Sequence, residues 1–290
     1  MTFASERLAK RLAATSTVAK WSGSNAAGTK GTYKVTFTPA STPPPPPPPP
    51  PPGNNPPTVA PSNAVFTDTA SNEFDLNGYG FNNNPWSGGH GPQEIWVVSD
   101  TNWGAISTQP AGNTAVLTYP FEQVAFYESN NLSGKTYPLL SSLKEVSVTF
   151  AQEMPAASNT YDAECAFDLW CGTVDVATND YTNAWKYEIM IWVQNHGQTP
   201  GGSKVGTLTS GTQTYDVYQS SDQSYTACVI TSTPITSGTV DVLGILNSLV
   251  AEGHLPSGLE FTACQFGWEI CSTNGEALGF EVTNFAATIN

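Results

Sequence analysis

The chain has 290 residues, 39% of them hydrophobic and only 12% charged, enough for one sizeable core and an appendage. Ten lysines and arginines face 24 acids, unevenly: residues 1–41 hold six basic residues and one acid, whereas residues 42–290 hold four lysines, 23 acids and no arginine. Without guanidinium forks or a basic patch, the second part has little with which to grip nucleic acid, a nucleotide cofactor or an anionic substrate, so its ligand is expected to be neutral.

Residues 1–41 read as an N-terminal tail or module remnant, in which GTYKVTFTPAS alternates like one edge strand. Residues 1–20 lack the uninterrupted apolar region of a secretory leader, and no run is long enough to span a membrane. Abundant Asn, Thr, Ser, Gly and aromatic residues nevertheless suit a secreted protein. Pro43–Pro52 is an unbroken proline run, a polyproline II spacer about 30 Å long at about 3.1 Å per residue, and residues 42–62 are assigned to this linker.

From residue 63 to residue 290 short alternating segments recur between turn signals: EIWVVS, AVLTYP, EVSVTFA, CAFDLW, YEIMIWVQ, TYDVYQ, TACVIT, LEFTACQFGWEI and FEVTNFAATI. Such a series predicts an all-β sandwich of two antiparallel sheets. One segment breaks the pattern: in TVDVLGILNSLVAEGHLPSG the apolar residues Val242, Ile245, Leu246 and Leu249 follow helical spacing, with Gly253 and Pro256 as stop signals. One helix is therefore expected on the outside of the sheets.

Strict alternation in WKYEIMIWVQ puts Tyr187, Ile189, Ile191 and Val193 on a core face, and Glu188, Met190 and Trp192 on the other. In CAFDLWC, Asp168 shares its face with Ala166 and Trp170; in CQFGWEIC, Glu269 shares its face with Gln265 and Gly267. Three acids with aromatic, sulfur and amide companions suggest a concave sheet face that holds sugar rings, indole faces stacking on pyranoses and carboxylates taking hydroxyls. Two such acids across a groove are the equipment of a glycosidase. The remaining acids Glu73, Asp75, Glu94, Glu122, Glu128, Glu145, Glu153 and Glu281 are expected in turns or on outer faces, and His196 as a plain loop residue. Five cysteines leave at least one thiol free, and scattered histidines without a CxxC pair give no metal site.

The string YEIMIW resembles the nucleophile strand of glycoside hydrolase family 12, the jelly-roll endoglucanases and xyloglucanases. NNNPWSGGHGPQEIW, AFDLW, HGQTPGG, QFGWEICSTNG and FEVTNFAATIN are similar to further family segments, in the family's order, over residues 75–290. The resemblance implies a β-jelly roll with Glu188 as nucleophile, Glu269 as general acid/base and Asp168 as hydrogen-bond partner of the nucleophile. It makes Trp86 a stacking platform, with Asn84, Met190, Trp192, Pro200 and Gln265 lining subsites. Pro85, Trp268 and Cys271 depart from the family pattern and bear on subsite shape. The implied activity is retaining, endo-acting hydrolysis of cellulose-type, mixed-linkage or xyloglucan chains by a secreted monomer with a neutral β-glucan as its partner and without cofactor, metal, nucleic acid or membrane. A xyloglucan-specific hydrolase or transglycosylase, a xylanase of related architecture and a non-catalytic polysaccharide-binding module are the alternatives.

Overall fold

The structure, a computed structural model, describes residues 18–24, 30–36, 55–124 and 137–290. Glu128 lies outside them. Two compact units divide near residue 45. In the first, β1 (Val18–Ser24) pairs antiparallel with β2 (Lys30–Thr36), so the alternation read as one edge strand belongs to a hairpin.

The second unit is a two-sheet sandwich. Its larger sheet has nine strands in the order β12 (Ser203–Ser210), β13 (Gln213–Gln219), β14 (Tyr225–Ile230), β11 (Asp180–His196), β10 (Asp162–Asp175), β16 (Glu260–Ser272), β8 (Phe121–Val124), β5 (Tyr79–Asn82) and β4 (Glu73–Leu76). The smaller has six: β15 (Ser237–Asp241), β9 (Val146–Glu153), β17 (Leu278–Ile289), β7 (Asn102–Ser107), β6 (Gln93–Ser99) and β3 (Phe66–Asp68). Pairing is antiparallel throughout with one exception, since β11 and β14 run parallel with Glu188 opposite Tyr225. The β12–β13 hairpin occupies the chain between them and makes that return possible.

Alternation places the faces as the sequence implies. Cys165, Phe167 and Leu169 of β10, Ile189, Ile191 and Val193 of β11, and Cys264, Phe266, Trp268 and Ile270 of β16 all enter the main core. Phe150 from the smaller sheet meets Phe266 and Phe167 at ring-centroid distances of 4.8 and 5.6 Å, tying the two layers together. Trp268 is one of these inward residues, its Nε1 donating to Gln152 Oε1 at 3.3 Å, so this departure from the family pattern alters packing and not the opposite face.

The helix spans Val242–Ala251. Asp241 caps it, Oδ1 accepting from the Gly244 N–H at 2.9 Å, and Val242, Ile245, Leu246 and Leu249 are buried against the sandwich. It ends before Gly253, whose φ of 79° suits glycine alone among common residues.

Two sequence expectations change, and one hairpin is added. AVLTYP is not a strand: Thr118 makes only an isolated bridge to Ile270, and Pro120 cannot donate to extend it. The β4–β5 hairpin, unassigned from sequence, turns on Asn77 and Gly78 with φ of 54° and 89°, the Asn-Gly turn that matches strand twist. Glu122 is not on an outer face. It is fully buried on β8, between β16 and β5, with Trp103 Nε1 donating to its Oε2 at 2.6 Å. All five cysteines are unpaired and buried.

The end of the expected linker is packed. Pro56 is buried, Asn55 Oδ1 accepts from the Ala156 N–H at 3.3 Å, and a side chain on Gly279 would collide with the Pro56 and Pro57 carbonyls. Val65 then joins Val97 by a backbone bond of 2.8 Å. Removing residues 1–54 is therefore expected to leave the melting temperature of the sandwich unchanged. Removing residues 1–62 should lower it by about 3–6 °C, the equivalent of roughly 1–2 kcal/mol of lost packing in a unit of this size. Calorimetry on the two truncations checks this, and equal melting temperatures would refute it.

Candidate active site

The outer face of the nine-stranded sheet is concave around a cavity of about 420 Å³. Glu188, Asp168, Glu269 and Gln265 line it, as do Asn84 and Trp86. So do six residues that sequence reasoning did not assign to binding: Asn82, Tyr119, Phe121, Trp170, Trp185 and Ala263. Trp170 had a visible signal, as it shares the face of Asp168. Tyr119 had none, because it sits in the segment misread as a strand. Gly267 allows that segment to approach, since a Cβ there would strike the Pro120 carbonyl. Tyr119 is thereby laid over β10, its hydroxyl donating to the Ala166 carbonyl at 3.3 Å.

Trp86 is 59% exposed at the cavity, an indole face open to a ligand. It is fixed from below: Asn84, with φ of 42°, gives its carbonyl to the Trp86 and Tyr119 N–H groups at 3.1 Å each, while its own N–H donates to Asn82 Oδ1 at 2.7 Å.

Met190 and Trp192 are on the expected face but do not line the cavity. Each is 1% exposed, in a small cluster with Ala166 and Ala227 covered by Tyr225, Tyr218 and Val229. Met190 Sδ accepts from the Trp192 indole and the Tyr225 hydroxyl, both at 3.5 Å. Pro200 is half-buried in the loop after β11 and is also absent from the lining. His196, at the end of β11, stacks on Tyr161 with centroids 3.8 Å apart and bonds the Tyr161 carbonyl at 2.9 Å, a structural role.

Glu188 and Glu269 are on strands that are not neighbours in the sheet. β10 runs between them, with Trp170 opposite Glu188 and Glu164 opposite Glu269. On a flat sheet this offset along β10 would be about 20 Å at roughly 3.3 Å per residue. Twist and concavity turn both carboxyls over the same cavity. Burial, and then the charge of Glu269, push Glu188 up to about 7. Asp168, beside both, is raised well above its ordinary value by burial, then by Glu188 and Glu269. Glu269 is raised by burial, against hydrogen bonds that favour its ionised form. One of these comes from Gln198 Nε2 at 2.8 Å. Asn195 fixes that loop residue in turn, exchanging bonds with the Gln198 backbone at 2.8 and 3.0 Å.

Glu164 was overlooked because the segment taken as a strand began one residue later. It is fully buried beside Glu269. Among the described residues no lysine, arginine or histidine lines the cavity. The arrangement is that of a site for a neutral ligand, with several carboxyls whose protons are held more tightly than usual.

The family model of glycosyl hydrolase family 12 matches residues 77–290. Among solved structures, the chain is similar to the xyloglucanase domain of NopAA, a type three effector from Sinorhizobium fredii in complex with cellobiose, at 25% identity over 78% of this chain and 100% of that one, with a TM-score of 0.63. Endoglucanase cel12A from Rhodothermus marinus matches at 24% identity over 78% and 99% of the two chains, with a TM-score of 0.65. A family 12 xyloglucanase from Bacillus licheniformis matches at 19% identity over 78% and 100%, also at 0.65. A comparison with curated proteins gave no significant match.

The carboxyls carry a consequence for stability. Glu122, Glu164, Asp168, Glu188 and Glu269 all have folded-state values above their unfolded ones. The folded state therefore binds more protons than the unfolded one above the ordinary glutamate value of 4.5. Stability from these groups is complete below that value and is lost as pH rises through their folded values. The melting temperature should peak at about pH 4–5 and fall towards pH 8. In Glu122→Gln the fall should be shallower, by at most about 1.4 kcal/mol per pH unit. Calorimetry across pH tests this, and an unchanged slope in the variant would mean that Glu122 is ionised when folded.

Proposed function

Because the chain belongs to glycosyl hydrolase family 12, and is thus a glycoside hydrolase, we propose that it is a retaining endo-β-1,4-glucanase that acts on cellulose-type, mixed-linkage or xyloglucan chains. The observation that carries this reading is the placement of Glu188 and Glu269 over one cavity, with no cation in its lining among the described residues, beside the exposed Trp86. Binding alone needs neither acid, which disfavours a non-catalytic polysaccharide-binding module.

In the proposed reaction Glu269 gives its proton to the glycosidic oxygen as the carboxylate of Glu188 attacks the anomeric carbon. The C–O bond to the leaving chain breaks and a glycosyl ester on Glu188 forms. Water then attacks the same anomeric carbon from the face opposite the ester and gives its proton to Glu269, while the C–O bond to Glu188 breaks and its carboxylate is restored. Asp168, protonated in its buried position, donates to Glu188 and favours its ionised form before attack. Water is the only second reactant, so the proposal needs no cofactor. Trp86 stacks on a sugar ring, while Asn84 and Gln265 take hydroxyls. Met190 and Trp192 support this wall from beneath instead of touching sugar, and Pro200 shapes the loop that holds Gln198.

The similar solved structures include both xyloglucanases and endoglucanases, and the preferred chain is an experimental question. Reducing-sugar release from barley glucan, carboxymethylcellulose, xyloglucan and xylan answers it, with xylan expected to be the poorest. Among the described residues no helix is long and apolar enough to cross a membrane. The polar, weakly charged and aromatic composition supports a secreted enzyme, with a monomer as the proposed working form.

Glu188→Gln is expected to lower kcat by several orders of magnitude while oligosaccharide binding persists, because the amide is nearly isosteric but cannot form the ester. Turnover like that of the wild type would remove Glu188 from the mechanism.

Glu269→Ala should cripple polysaccharide hydrolysis yet spare the first step on an aryl cellobioside whose leaving group departs unprotonated. Added azide needs no base, so it should release the accumulated glycosyl enzyme as a β-glycosyl azide. An α-azide would exchange the two roles or make the enzyme inverting.

A further inference from the structure

Glu164 and Glu269 are direct cross-strand neighbours on β10 and β16, on the cavity side of the sheet. Glu164 is fully buried, and neither of its oxygens meets a hydrogen-bond donor in normal geometry among the described residues. What faces it is the carboxyl and peptide of Glu269. On its other side is Asn195, whose amide is committed to the Gln198 backbone. Two carboxylates cannot stand opposite each other without donors or a cation, so a proton must lie between them.

Which carboxyl keeps that proton follows from the surroundings. Glu269 reaches the cavity and receives the Gln198 amide, so its ionised form has an external donor. Glu164 has only the Glu269 peptide N–H to favour its charge and is sealed from water. The other titratable groups around the pair are acidic or neutral: Asp162 and Asp168 on its own strand, Tyr119, Tyr225, and Cys165 and Cys271. Of these, Asp168 is the one whose charge would disfavour another on Glu164. Burial raises Glu164 well above the ordinary glutamate value, and the nearby charges of Glu269 and Asp168 add to this.

We propose that Glu164 is a permanently protonated acid that donates its O–H to Glu269, a positioning residue that steadies the charge Glu269 acquires on giving up its proton. The inference rests on the acid/base role of Glu269 proposed above. When Glu269 transfers its proton to the glycosidic oxygen, its new carboxylate finds two donors already in place, Gln198 Nε2 and the Glu164 hydroxyl. Glu164 keeps its own proton throughout. The hydrogen bond strengthens as charge appears on Glu269, so it favours the transition state over the ground state. It also makes Glu269 a stronger acid than burial alone would leave it.

Two substitutions separate the donor from the titrating proton. Glu164→Gln keeps an N–H donor towards Glu269, whereas Glu164→Leu removes it and fills the same space. In the leucine variant Glu269 should hold its proton to higher pH, moving the alkaline limb of kcat/KM up by roughly one unit. Its polysaccharide kcat should fall about tenfold, while the first step on an activated aryl cellobioside is unchanged. The glutamine variant should keep both the alkaline limb and the polysaccharide rate close to wild type. An unmoved limb in the leucine variant, or an equal shift in both, would overturn the positioning role. Should the leucine variant fail to fold, the glutamine profile still decides: a displaced limb there refutes a conserved donor.

An infrared difference spectrum of resting wild type against Glu164→Gln at neutral pH is independent of catalysis. Loss of one neutral carboxylic-acid C=O band supports a protonated Glu164, and no loss overturns the proposal. If the azide experiment contradicts the role of Glu269 while this band is lost, the catalytic reading fails and the protonated pair stands.

Discussion

The structure depends on burying acids where no cation is available to pair with them. Beyond residue 41 the chain has four lysines and no arginine. Among the described residues Lys204 pairs with Asp216 and His254 makes a longer contact with Glu252, and none of these four lines the cavity. A buried carboxylate must then be neutralised by its own proton or by neutral donors. Glu122 takes the Trp103 indole, Glu269 takes Gln198, and Glu164 turns to another carboxyl. Among the described residues the arrangement leaves the cavity lining without a fixed positive charge. That suits a neutral polyhydroxy ligand, and it makes proton count the variable that governs both stability and the proposed chemistry.

The sequence made the central strands legible because each is long and covered differently on its two sides. Ile189 and Ile191 alternate with Glu188 and Met190, and the fold honours the alternation. The helix was legible for a similar reason, with one apolar stripe and both ends marked by Asp241 and Gly253. The failures have physical causes too. Glu122 looked like a surface acid because polar residues usually are, yet β8 is buried at Phe121, Glu122 and Gln123 alike. No periodicity can announce a strand covered on both faces. Strands such as β12, with its small and polar residues, carry too weak an alternation to be found.

Met190 and Trp192 illustrate a second limit. Their face was read correctly, but their exposure was not, because their cover comes from Tyr225 and Val229 of β14 and Tyr218 of β13. That cover exists only because β14 runs parallel to β11, a pairing set by the long excursion through β12 and β13. Local pattern gives the direction of a side chain; topology decides what lies above it. Trp268 shows the same division in reverse, as its position beside Glu269 suggests the cleft while alternation sends it into the core.

β10 is the strand through which these constraints meet. It lies between the strands of Glu188 and Glu269, and its own cavity-side residues include Glu164 and Asp168, four positions apart in sequence on one face. The register sets Glu164 opposite Glu269, and Asp168 opposite Met190, one step along the same face from Glu188. Each acid of the proposed catalytic pair thus has a more deeply buried acid from β10 at its side. A buried neutral acid is a donor whose strength grows when its neighbour ionises, and it does not need the long flexible side chain of a cation. Both companions come from one strand, paired without interruption to β16 from Ala163 to Trp170 and to β11 with one register shift between Cys165 and Ala166, so their spacing is fixed by backbone geometry and not by loops. On the proposed mechanism the two carboxyls must exchange charge during the reaction, one losing a negative charge as the other gains it. A middle strand carrying a proton donor beside each supports both charge states without rearranging, which is how a site lacking cations can still stabilise carboxylates.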